Sequence, residues 1–103
     1  MSNRKLPTKV SILGVPFTIE YRTDLKCDGE DVMGLTTGSE RKISICVSKN
    51  DSPEKIESVL AHEIMHAILY VTGHSETIDE KVEEAVVLAL EHGLTQLYRR
   101  KFK

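Results

Sequence analysis

The sequence predicts an α+β fold, a small antiparallel or mixed β-sheet of about four strands followed by two packed α-helices. Three observations predict it. Apolar residues alternate with polar ones at a period of two in the first half, they recur at a helical period in the second, and a strong helix-start signal at Ser52-Pro53-Glu54 divides the halves. The 103 residues read as a single domain over 1–103, with strands within about 8–48, one helix over about 53–72 and a second over about 77–99.

Each element has its own signal. Val10, Ile12 and Leu13 form a short apolar strand ending at Gly14, and Gly14-Val15-Pro16 reads as a tight hairpin connection. Phe17, Ile19 and Tyr21 then alternate with Thr18, Glu20 and Arg22. Residues 24–31 are polar and loop-like. A third strand is expected over 32–37, a turn at Gly38-Ser39-Glu40, and a fourth strand over 42–48, where Ile43, Ile45 and Val47 alternate with small or polar residues. Ser52 suits an N-cap and Pro53 the first helical position. Ile56, Val59, Leu60, Ile64, Ala67, Ile68 and Val71 give that helix its apolar period, and Gly73 is placed to end it. The second helix carries the row Val82, Val86, Ala89, Leu90, Gly93, Leu94 and Leu97, with Arg99, Arg100 and Lys101 at its C-terminal end, where cations suit the helix dipole.

Composition narrows the functional classes. Aromatic residues make up 5% and Trp is absent, so the core is expected to be aliphatic. A formal net charge of -2 gives no sign of a nucleic-acid-binding surface, and the basic run after Tyr98 reads as a solvated terminus. No apolar run approaches the ~20 residues of a membrane helix, and the N-terminus carries no signal-like segment. A cytoplasmic protein is expected, with Cys27 and Cys46 reduced and Cys46 a small packing residue.

The chemistry lies in His62-Glu63-Ile64-Met65-His66. Histidines four apart on a helix project from one face, one turn apart, and two imidazoles so placed can hold one zinc ion. Glu63 is turned away by about 100°, beside the metal position rather than on it, where a carboxylate can take a proton from water as general base. A catalytic zinc takes three protein ligands. A third histidine six residues after His66 is missing, since Thr72 stands there. His74, just past Gly73, is one candidate. Glu83 and Glu84 are the others, because a helix hairpin returns the start of the second helix beside the motif. Glu83 shares a face with Val87, Leu90 and Leu94, which argues for an inward orientation. Tyr70, one turn after His66, can either stabilise an oxyanion or pack with its hydroxyl at the rim. His92 reads as a surface histidine.

His62-Glu63-Ile64-Met65-His66-Ala67-Ile68-Leu69, followed by Glu83-Glu84-Ala85-Val86-Val87 and Gly93-Leu94, resembles small zincin-like metallopeptidases of bacteriophages and prophages, relatives of the ImmA/IrrE-type peptidases. The resemblance covers roughly residues 42–98. It implies a gluzincin-type site in which a Glu-Ala pair on the later helix supplies the third ligand, and so favours Glu84 over Glu83. It also implies an edge strand over 42–48, along which an extended peptide can pair. The function expected is zinc-dependent peptide hydrolysis in a bacterial or phage-infected cytosol, with Glu63 as general base and a peptide or protein as substrate. The alternative is a metal-stabilised module that captures a host protein without cleaving it. An RNA-directed hydrolase with three clustered histidines ranks last, because His74 lies too far from His66.

Overall fold

The structure, a computed structural model, describes residues 6–48 and 52–102, with side chains as far as Leu94. Strand β1 (Lys9–Ile12) and strand β2 (Val15–Arg22) form an antiparallel hairpin in which Ile12 pairs with Val15. The connection is the two-residue turn Leu13-Gly14, with φ of 52° and 86°, so Val15 and Pro16 belong to the strand rather than to the turn. Positive φ at both positions matches the twist of the flanking strands. The polar segment expected to be a loop holds a miniature hairpin, β3 (Lys26–Cys27) and β4 (Glu30–Asp31), clipped by an exposed Lys26–Asp31 ion pair at 2.8 Å.

Strand β5 (Gly34–Thr37), a 3₁₀ turn at Gly38–Glu40 and strand β6 (Lys42–Cys46) complete a mixed four-stranded sheet of order β1-β2-β6-β5. Only the β2–β6 pair is parallel. The expectation of an edge strand over 42–48 is corrected here. After β2 the chain crosses over to lay down β5 first and returns as β6 between the two, so β6 is interior and β5 is the edge. Ile43, Ser44, Ile45 and Cys46 are accordingly all buried.

Helix α1 (Pro53–Val71) starts where the sequence predicts, with the Lys55 N–H donating to Ser52 Oγ at 3.2 Å, and it ends before Gly73 in a left-handed conformation. It lies across one face of the sheet. Leu60 and Ala67, flanked by Ile56, Val59, Ile64 and Val71, close over Ile12, Phe17, Ile19, Ile43 and Ile45. This aliphatic layer fixes α1 to the sheet and so fixes the roll of the motif.

Helix α2 (Glu80–Phe102) begins later than the expected residue 77. A 3₁₀ turn at His74–Glu76 comes first, and Asp79 then accepts the Lys81 N–H at 2.7 Å as a cap. α2 packs on α1, but not by the row read from the sequence. Val82, Val86, Leu90 and Leu94 are exposed, and Val87 is the buried side chain. The inward face is instead carboxylate-rich. Among the described residues no helix is long and apolar enough to cross a membrane.

Candidate metal centre

The roll of α1 assigns each motif residue a different neighbour. Glu63 falls between Val59-Leu60 and Ala67 in the helical period, so it sits within the apolar face and is buried against the sheet at 7% exposure. His62 and His66 lie on the flank facing α2, with ring centroids 5.0 Å apart.

α2 brings three carboxylates to these two rings. Glu84 lies between them, Oε1 at 3.0 Å from His66 Nε2 and Oε2 at 3.2 Å from His62 Nε2. Glu83 Oε2 is 2.6 Å from His66 Nδ1, and Glu91 Oε1 is 2.8 Å from His62 Nδ1. Ser58 Oγ donates to the other Glu91 oxygen at 2.9 Å. All four imidazole nitrogens therefore face a carboxylate, yet two neutral imidazoles carry only two N–H groups. The two remaining contacts require either a further proton on each ring or a cation shared at the Nε2 side.

The donor set fits zinc. One ligand atom from each of His62, His66 and Glu84 lies within 4.8 Å of the others. Tetrahedral ligands at zinc bond lengths stand roughly 3.3 Å apart, close to the two Nε2–carboxylate distances. Glu83 and Glu91 hold the Nδ1 sides, as outer carboxylates do for metal-binding histidines, leaving Nε2 free to ligate. Burial opposes charge on His66, but the Glu83 hydrogen bond and the fields of Glu63, Glu84 and Glu83 outweigh it and raise its pKa above the usual 6.5. Burial likewise pushes Glu91 up, but hydrogen bonds from His62 and Ser58 prevail and hold its carboxyl below the usual 4.5.

Glu63 lies between the histidines and the edge strand. Gly34 and Thr36 of β5 pair with Ile45 and Ile43 of β6, so they point to the same face of the sheet, toward α1. Thr36 Oγ1 is 2.7 Å from Glu63 Oε1 and 2.9 Å from its backbone carbonyl. Gly34 leaves the room Glu63 occupies, since a Cβ there would stand 2.9 Å from Glu63 Oε2 and 2.7 Å from Val59 Cγ1. Burial raises the Glu63 pKa above 4.5 against the opposing Thr36 hydrogen bond and the two histidines. A carboxyl so placed takes up a proton more readily than an exposed glutamate.

The sequence-predicted residues divide clearly. His62, His66, Glu63, Glu83 and Glu84 come together, with Glu84 at the shared Nε2 position and Glu83 behind His66. His74 stays in the exposed turn after α1, its Nδ1 2.8 Å from Thr72 Oγ1, outside the cluster. Tyr70 is half-exposed at the cleft wall, with its ring packed so tightly over Gly38 that a Cβ there would meet the ring at 2.5 Å. His92 is exposed, Cys27 partly so, and Cys46 is buried as a packing residue. Sequence reasoning missed Glu91, Ser58, Thr36 and Gly34. The signal for Glu91 was its place seven residues after Glu84, two turns along the same face.

The cluster opens into a cleft of about 1090 Å³ between β5, α1 and α2, walled by Met33, Val59, Leu88 and Tyr70 as well as the site residues. No protein-family model, curated protein or solved structure matches the chain.

Proposed function

We propose that this chain is a zinc-dependent metallopeptidase of the small zincin type, with His62, His66 and Glu84 holding the metal and Glu63 as general base. The observation that carries this reading is the excess of carboxylate-facing nitrogens. Both Nε2 atoms converge on Glu84, while both Nδ1 atoms are already taken by Glu83 and Glu91. Zinc at that point would supply Lewis acidity, making water a nucleophile near neutral pH and polarising a carbonyl.

The chain's own residues fit the rest of the chemistry. Glu63 takes the proton from the attacking water and passes it to the leaving amine; its raised pKa lets it hold that proton between the two events. Thr36 fixes the carboxylate rotamer from the strand side. Strand β5 is the sheet edge and its residues line the cleft, so an extended peptide can add to it as a further strand with its scissile bond over the histidines. Tyr70, on α1 one turn after His66 and packed over Gly38 just beyond β5, lines the cleft and is a candidate to serve an oxyanion. The cytosol of a bacterial or phage-infected cell is part of the same proposal and rests on the sequence resemblance to phage and prophage proteins alone.

The test is Glu63→Gln, assayed for bound zinc and for cleavage of a peptide library. Retained zinc with cleavage lowered by about 10²–10⁴-fold is expected. Undiminished turnover would refute the role of Glu63, and zinc binding without any cleavage by the wild-type chain would favour the metal-stabilised binding module instead.

A further inference from the structure

Leu88 lies on the inward stripe of α2 without being packed there. It stands one turn after Glu84 and one turn before Glu91, the carboxylates that meet His62, yet it is 42% exposed. Val87 is the side chain that α2 buries, and Leu88 lines the cleft instead. Val32, Met33 (49% exposed) and Val59 line the same end of the cleft. The other end is polar, with Ser75, Glu80 and Lys81 near Tyr70.

The backbone of β5 determines what can cover this apolar end. The Cys46 N–H donates to the Met33 carbonyl at 2.9 Å, and in an antiparallel pair successive residues turn their N–H and C=O groups to opposite sides. Met33, Leu35 and Thr37 therefore turn theirs to β6, while Gly34 and Thr36 turn theirs to the open edge. The alternation in β6 agrees, since Arg41 and Val47 bond to β2 on its other side. An extended chain added at the edge thus bonds to Gly34 and Thr36, whichever way it runs. Residues directly opposite one another across a ladder share a face of the sheet. The added residues level with Gly34 and Thr36 point toward α1, into the cleft, and the residue between them points away. Gly34 stands against Val59, and Thr36 against Glu63. The side chain level with Gly34 therefore enters the space between Val59 and Leu88. The one level with Thr36 lies toward the polar end. Glu63 borders both levels.

We propose that the site takes an extended, unfolded peptide segment and selects it by one apolar side chain, seated among Val32, Met33, Val59 and Leu88 beside the bond to be cleaved. The cleavage rests on the metallopeptidase reading; the pocket rests on β5 and Leu88. Selection is one-sided, because the inward position on the other side of Glu63 meets polar groups.

A library of synthetic peptides tests this in two readouts, cleavage by the zinc-loaded chain and binding to Glu63→Gln by fluorescence anisotropy. One position beside the cleaved bond is expected to favour Leu, Ile, Met or Phe over Ala by at least tenfold in kcat/KM. The same peptides are expected to bind Glu63→Gln in the same order. Leu88→Ala is expected to lose most of that preference with zinc content unchanged, and Leu88→Lys to shift it toward Asp and Glu. Cleavage without an apolar preference, or a preference that survives Leu88→Ala, overturns the inference and leaves the peptidase reading standing. Tenfold discrimination in binding with no cleavage by the wild-type chain refutes that reading and upholds the pocket. Binding that does not distinguish Leu from Ala at any position overturns the pocket whether or not cleavage occurs.

Discussion

Glu63 shows how one residue's position within a helix period decides its chemistry. Three residues of the motif were legible in the sequence because the four-residue spacing fixes their relative direction on any helix. The absolute direction was not legible. That Glu63 points into the apolar layer follows from Leu60 and Ala67 docking on the sheet, a tertiary fact. Glu91 was missed for a related reason, since a glutamate on a helix is ordinarily solvated and only the packing of α2 on α1 brings it to His62. If Glu91 orients His62, Glu91→Gln is expected to weaken zinc binding roughly 10–100-fold, with Glu91→Asp recovering part of it, as measured by chelator competition. Titration provides a second check. His66 has a raised pKa in the fold, so the stability it contributes is fully present below about 6.5, the unfolded value, and is lost as pH rises through the folded one. Metal-free protein is therefore expected to melt at lower temperature as pH climbs through that window. Zinc needs deprotonated imidazoles, so the zinc-loaded protein should show the opposite trend. Parallel trends with and without zinc would contradict the ligand assignment.

At the scale of elements, strands, capping and helix order were readable because they rest on local signals, such as Ser52-Pro53 and the alternation around Phe17. Strand order was not, because nothing in residues 42–48 records that β5 has passed to the outer side. The outward direction of the row on α2 was not legible in the sequence, for a physical reason. A helix with two usable faces carries apolar periodicity on one and function on the other, and periodicity alone assigns the apolar face to the core. The actual contact with α1 is narrow, with Val87 as its buried apolar residue and the carboxylate–histidine contacts beside it. Val87→Ala is accordingly expected to cost roughly 1.5–3 kcal/mol in denaturant unfolding. It should also lower zinc affinity, because the same packing positions Glu83, Glu84 and Glu91. A loss of stability with unchanged zinc affinity would show that the carboxylates are held independently of Val87.

At the scale of the whole molecule, the parts of the proposed site are distributed by layer. The sheet holds the Glu63 carboxyl and buries it, while the two helices carry the proposed ligands. All the proposed ligands lie between residues 62 and 84, within a single helix hairpin, whereas the proposed general base also touches Thr36 and Gly34 from β5. On the proposed reading, metal binding and catalysis are thus separable in this architecture. Loosening β5 should leave the first intact and impair the second.

The β1–β2 turn carries a different kind of consequence, concerning how much room the fold has to change. Leu13 is the most exposed large hydrophobic of the described residues, at 68%, and it holds a left-handed backbone with φ of 52° at a hairpin tip. Asparagine tolerates that conformation far better, and Asn-Gly is the favoured pair for such a turn. Leu13→Asn is expected to raise stability by up to ~1 kcal/mol, read as a shift in denaturant midpoint, with the cleft untouched. The turn is thus a reserve of stability remote from the cleft, and a variant improved there could tolerate the more destabilising substitutions needed to reshape the ground around Glu63.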